Sequence, residues 1–211
     1  MLWDSLSSKP KGDTMGYTTD FEGRFSIRPS MKPEHIAYIN RFAHTRRMKR
    51  DAELSVQRPD PIRIAAGLPI GNQGGYFVGA DGDYGQEGMF GSSTNPSDVM
   101  DHNGPPHGQP GLWCKWEILQ SGGGHQYLVW NGMEKFYGYV EWLNYLIAHF
   151  FEPWGYHLDG TMLYQGEEPR DRGCIGVIDN KVSSSEGDFS LPEVNIQWDA
   201  WNDGELSDDG I

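Results

Sequence analysis

Thr19-Asp-Phe-Glu-Gly-Arg-Phe-Ser-Ile-Arg28 alternates residue by residue: Phe21, Gly23, Phe25 and Ile27 fall on one side, and Glu22, Arg24, Ser26 and Arg28 on the other. A period of two with one apolar and one charged face is the pattern of a strand in a sheet with one buried and one wet side. Pro29 ends the run. Pro33 suits a first helical position, and Ile36, Ile39, Phe42 and Ala43 follow at helical spacing, so the pattern predicts a helix from about Pro33 to Arg50.

Leu112–Leu119 and Gln126–Trp130 are dense in Trp, Tyr, Val, Ile and Leu, with Ser121–Gly124 as the turn of a hairpin and Asn131-Gly132 as its end. Phe136, Val140, Leu143, Ile147 and Phe150, flanked by Tyr139, Leu146 and Phe151, form the strongest helical stripe in the chain, and Pro153 stops it. Tyr156–Tyr164 carries Asp159-Gly160 at its centre, a two-residue hairpin signal. Cys174–Ile178 and the strand after Asp179-Asn180 make a further hairpin. The order is β-α-β-β-α-β plus a C-terminal hairpin. That predicts an α+β fold, an antiparallel sheet with two helices on one face in the ferredoxin-like split βαβ order.

The length, 211 residues, is that of one domain, with enough chain to bury a core without a disulfide or metal staple. No stretch approaches 18 apolar residues and the first 25 lack an apolar signal region, so the sequence predicts neither a membrane span nor secretion. Two cysteines, Cys114 and Cys174, read as reduced thiols in a cytoplasmic protein. The net charge of −13 is unevenly spread: residues 1–66 hold 12 Lys/Arg against 8 Asp/Glu, and residues 67–211 hold 5 against 22. The expected organisation is a disordered extension over 1–14, with Met15 as the natural start, one α+β domain over 15–182, and an acidic, mostly disordered tail over 183–211. Within that tail Ile196, Trp198 and Trp201 are apolar exceptions able to dock on the domain or on a partner.

Some 60 residues separate the first helix from the next strand, and loops of that length are functional, disordered or hide an element such as Tyr76–Val78. The insertion spans 67–111 and places a glycine at every third position from Gly79 through Gly82, Gly85 and Gly88 to Gly91. Glycines there serve either successive turns or a backbone-lined ligand site, with Gly79, Asp81, Gly82, Asp83, Gly85 and Glu87 as the candidate ligand-binding residues. An EF-hand is excluded, because Gly85, Gln86 and Ser92 occupy the positions that need Asp/Asn, Gly and Glu. Asp101, His102 and His107 are candidate catalytic groups, His102 or His107 acting as a base beside Asp101. His102, His107 and Cys114 are equally a candidate zinc set, though their spacing is looser than in structural zinc sites and a fourth ligand is not evident. His149 and His157 read as structural.

Arg41, Arg46, Arg47, Lys49 and Arg50, with His44, cluster at the end of the first helix. Cations complementing a helix C-terminus explain them, or an anion-binding patch does; the overall charge opposes general nucleic-acid binding.

The blocks Gly16-Tyr-Thr-Thr-Asp-Phe-Glu-Gly23, Thr45-Arg-Arg-Met-Lys-Arg-Asp51, Gly111-Leu-Trp-Cys-Lys-Trp116, Glu134-Lys-Phe-Tyr137, Val140-Glu-Trp-Leu143 and Pro153-Trp-Gly-Tyr156 resemble a family of uncharacterised bacterial and bacteriophage proteins, over residues 15–182. The resemblance implies a cytoplasmic setting and carries no activity or catalytic residue. The expected function is a binding or interaction protein that holds a protein partner or small ligand with the glycine-rich acidic loop, with no cofactor assigned. A small metal- or His-assisted hydrolase or transferase, and an acidic nucleic-acid mimic that inhibits a host factor, are the alternatives.

Overall fold

The computed structural model describes residues 17–80, 97–187 and Phe189. The 1–14 extension, Asp81, Gly82, Asp83, Gly85 and Glu87 of the glycine loop, and the acidic segment from 190 onward lie outside the described residues. The chain is α+β. Its strands are β1 (Thr19–Arg28), β2 (Lys49–Arg50), β3 (Val99–Asp101), β4 (Trp116–Gln120), β5 (Gln126–Trp130), β6 (His157–Gly166), β7 (Arg172–Ile178) and β8 (Lys181–Glu186). Its helices are α1 (Pro33–Ala43), α2 (Ala52–Ser55), α3 (Pro61–Ala65) and α4 (Tyr139–Leu146), the last continued by a π-turn over Ile147–Phe151.

Six strands form one antiparallel sheet in the order β4-β5-β1-β6-β7-β8, while β2 and β3 pair separately. The alternation read along Thr19–Arg28 holds: Phe25 and Ile27 are buried and Asp20, Glu22 and Arg28 exposed. Buried residues of β4–β7, among them Trp116, Leu128, Leu158, Met162 and Ile175, complete the inner face. On that face α1 and α4 pack side by side, with Phe42 6.0 Å from Trp142 and Tyr38 5.3 Å from Phe150 between ring centroids. Asn40 of α1 ties the layer to the sheet: its amide donates to Ile118 O and its carbonyl oxygen accepts from Ile118 N. Trp116 Nε1 donates to Tyr139 O, joining β4 to the start of α4. No helix among the described residues is long and apolar enough to cross a membrane.

Several expectations are corrected. The first helix ends at Ala43 rather than Arg50, because Thr45 Oγ1 turns back to Arg41 O and Arg47 and Arg50 are drawn into the interior. The cations after Arg41 therefore do not cap a helix. Asp159-Gly160 is not a turn, since β6 runs unbroken for ten residues against β1, with Gly160 opposite Phe25. Gly160 sits at φ +148°, and a Cβ there would lie 2.5 Å from Arg24 O, so glycine permits a close crossing of two paired strands. The hairpin expected around Asp179-Asn180 does form, both residues at positive φ between β7 and β8. β8 extends to Glu186, which assigns 183–186 to the sheet rather than to the tail. Tyr76–Val78 is not a strand, and the long connection holds α2, α3 and the β2–β3 pair instead.

Candidate functional site

The described parts of the long connection between α1 and β4 pack onto the α1–α4 layer, and side chains from the body of the domain fasten them there. Asp60 and Arg63 clamp the base of the first arm: Arg63 Nε donates to Asp60 Oδ2 at 2.8 Å, Arg63 Nη1 to Leu68 O, and Val78 N to Asp60 Oδ2. Between these points three consecutive carbonyls are held individually. Gly75 O accepts from Arg47 Nη2 and Gln109 Nε2, Tyr76 O from the Tyr38 hydroxyl, and Phe77 O from Arg47 Nη2. Gly74, at φ +68°, lies so close to Arg50 that a Cβ would stand 2.7 Å from Arg50 Cβ. The second arm joins the first where His107 N donates to Gln73 Oε1.

Where the two arms meet α4 they enclose a pocket of about 90 Å³, lined by Asn72, Tyr76, His107, Gln109, Tyr145 and His149 together with Gly75, Pro106 and Gly108. Tyr145 and His149 share one helical face at i and i+4 spacing, and their rings stack with centroids 4.1 Å apart. His149 lies on the π-turn, whose Glu152 N donates to Ile147 O. Such bulges recur at functional positions because they reposition side chains along a helix. Tyr76 Oη is 2.7 Å from His149 Nδ1, and Gln109 Nε2 donates to Tyr145 Oη at 2.9 Å. Burial lowers the pKa of His149 and pushes the Tyr145 phenol up to about 12. Burial also raises the Tyr76 pKa, so its hydroxyl keeps its proton. The Tyr76–His149 hydrogen bond forms in either ring tautomer, with Tyr76 donating to Nδ1 or Nδ1–H donating to Tyr76 Oη. Gln109 Oε1 is buried and receives no hydrogen bond among the described residues.

Arg47 lies one layer beneath. Its guanidinium is 2% exposed, sits 4.1 Å from the Phe42 ring centroid, and bonds only carbonyls; its Nε and Nη1 have no hydrogen-bond partner among the described residues. Burial lowers its pKa, and the nearby Tyr38 and Tyr145 offset part of that shift. Arg50 differs: it pairs with the fully buried Asp98 at 2.9 Å, which also accepts from Ser55 Oγ.

The remaining candidates divide. Arg46 holds His102 O and Asn103 Oδ1, Arg41 Nη1 donates to Ala80 O at 3.4 Å, and Lys49 lies in β2. The five cations thus do not form one exposed patch. Asp101 Oδ1 accepts from Asn103 N and Gly104 N, capping a turn, and His102 Nδ1 faces Asn103 Oδ1 at 3.4 Å. Cys114 is fully buried in the core, and burial pushes its thiol up to about 12. No group of three His, Cys, Asp or Glu side chains able to hold a metal occurs among the described residues. Gly79 is buried at φ +69° on the first arm, outside the pocket.

His107 is the one candidate from the sequence that lines the pocket. Its neighbours Tyr76, Gln109, Tyr145 and His149 were legible only in part: the Tyr145-x-x-x-His149 spacing signals a shared face, whereas nothing local marks Tyr76 or Gln109. Two other clefts are larger. One of about 510 Å³ runs between Gly138–Glu141 and Ser184–Glu186, and one of about 270 Å³ lies on the outer sheet face. Neither combines histidines with a buried cation, so chemistry favours the smaller pocket. No family model, curated protein or solved structure matches the chain.

Proposed function

We propose that the protein is a binding protein whose insertion holds a small anionic group, a carboxylate or phosphate, in the pocket formed with α4. The observation that carries the reading is the pairing of an acid-free pocket with the buried Arg47 charge beneath it, in a chain of net charge −13. A buried charge without a carboxylate partner is costly, and an anion a few ångströms away in a low-dielectric setting offsets that cost. The His149 ring, the Asn72 amide and the His107 ring supply hydrogen-bonding groups at the mouth. The volume suits a head group of a few heavy atoms, since whole drug-sized ligands need roughly 300–1,000 Å³. Binding of a protein partner presenting such a group belongs to the same reading.

The finer fold reading, a ferredoxin-like split βαβ with a C-terminal hairpin, is supported by the order β4-β5-β1-β6 with β7-β8 appended, the β2–β3 pair being part of the insertion. A cytoplasmic setting and kinship with bacterial and phage proteins belong to the proposal too, and neither carries an activity. Isothermal titration with inorganic phosphate and with acetate tests it. Saturable one-to-one binding that is lost in His149→Ala and His107→Ala supports the reading. No binding of either anion, or binding indifferent to both substitutions, overturns it.

A further inference from the structure

On the outer face of the six-stranded sheet, opposite the helical layer, Leu163 with Cys174 and Leu119 with Tyr127 form two apolar patches, one on each side of the polar outer residues Glu22, Arg24 and Ser26 of β1. Register places Glu22 beside Leu163, Leu163 beside Cys174, and Leu119 beside Tyr127, while Arg24 lies over the Tyr127 ring at 4.1 Å. Both long helices lie on the other face, and Leu119 is 40% exposed. The chain itself returns to this outer face. After β8, Gly187 N donates to Arg172 O, and Phe189 comes to rest in the groove of about 270 Å³ lined by Asp20, Glu22, Leu163, Gln165 and Arg172.

Beyond Phe189 the sequence reads Ser190-Leu-Pro-Glu-Val194-Asn-Ile196-Gln-Trp198-Asp-Ala200-Trp201. Val194, Ile196, Trp198 and Ala200 alternate with Asn195, Gln197 and Asp199, the period-two pattern of a segment with one apolar and one polar side. A tail without a surface to cover has no need of that alternation. The reach is ample: strands lie about 4.8 Å apart, so crossing from β7 to β4 takes roughly 20 Å, a span that about six extended residues cover.

From the placement of Phe189 and this alternation we infer that the C-terminal segment 194–201 docks across the outer sheet face, its apolar side against Leu163, Val129, Tyr127 and Leu119. Phe189 is the first anchor. The inference stands on the sheet face alone and is independent of the anion pocket.

Cys174 is the natural reporter, because it stands half-buried on the outer face while Cys114 is fully buried with its thiol pushed up to about 12. Thiol labelling of the full chain is compared with a chain ending at Phe189 and with the full-length double substitution Ile196→Asp/Trp198→Asp. Docking predicts that both variants label a single thiol several-fold faster than the full chain, with the melting transition retained. Labelling of two thiols in the shortened chain signals global unfolding, and the double substitution then decides. Equal single-thiol rates in the folded variants and the full chain overturn the inference. So does a full-chain rate that falls as protein concentration rises, which would mean that a second copy covers the face.

Discussion

Arg47 stacks its guanidinium on Phe42, 4.1 Å from the ring centroid, in the interior of an acidic protein. The two residues lie on either side of the end of α1, so the helix terminates where the chain must turn to bury this charge. From there Arg47 holds Gly75 O and Phe77 O and thereby shapes one wall of the candidate pocket. A purely structural fastener and a charge held for a ligand predict different consequences for its removal.

Arg47→Met separates them. The substitution abolishes the desolvation penalty of a buried cation and removes two carbonyl hydrogen bonds from a charged group, each worth about 1.5–3 kcal/mol net. These effects oppose each other, and the melting temperature is expected to stay within a few degrees of the parent. Phosphate or acetate affinity is expected to fall at least about tenfold, equivalent to about 1.4 kcal/mol. A large drop in melting temperature would show that the carbonyl contacts dominate.

Asp98 is the opposite case, a buried charge fully engaged. It pairs with Arg50 and accepts from Ser55 Oγ, while Asp51 N donates to its main-chain carbonyl, joining β2, α2 and β3. Asp98→Asn deprives the buried Arg50 of its counter-charge, and loss of one partner of a buried pair costs about 3–5 kcal/mol. Urea unfolding should show a matching fall in midpoint with an unchanged slope.

How far the sequence reveals this architecture depends on the range of the interaction involved. Periodicity is local, so the alternation of Thr19–Arg28 and the stripe through Val140, Leu143, Ile147 and Phe150 locate a strand and a helix directly. The end of α1 is not local. Arg46-Arg47-Met48-Lys49-Arg50 has good intrinsic helix propensity, and tertiary burial of Arg47 and Arg50 overrides it. The pocket is the least legible part, because Tyr76, His107 and His149 come from three separate segments and meet only after the insertion folds back. His149 looks structural from its stripe alone; the π-turn is what presents it beside Tyr76.

Asp159-Gly160 shows the same limit at one residue. As a dipeptide it signals a turn, yet it lies inside β6 with Gly160 close against the backbone of Arg24 and Phe25. Gly160→Ala forces a Cβ against Arg24 O at a φ that L-residues rarely adopt, a strain of about 1–3 kcal/mol. In a two-residue turn alanine would cost only the roughly 1 kcal/mol of a left-handed residue, with no paired strand to strike. Chemical denaturation of the variant is expected to show a larger loss, because the Cβ also meets the Arg24 carbonyl.

Acid sensitivity follows from two histidines that burial holds below the usual His range. His35 is 7% exposed, stacks on Trp154 at 4.0 Å and places Nδ1 2.9 Å from Tyr156 Oη; His149 packs on Tyr145. In the unfolded chain each takes up its proton near pH 6.5, and in the folded protein only at lower pH. Between those values the unfolded state binds more protons, so stability rises with pH through that window. The contribution is fully present above about pH 6.5 and is lost as pH falls through the folded values. Urea midpoints measured from about pH 8 down to pH 5 should therefore decline on the acid side. The decline should flatten in a His35→Gln/His149→Gln variant, whose side chains do not titrate there. An acid-side decline of the same steepness in that variant would assign the loss to carboxylates elsewhere and remove the two histidines from the account.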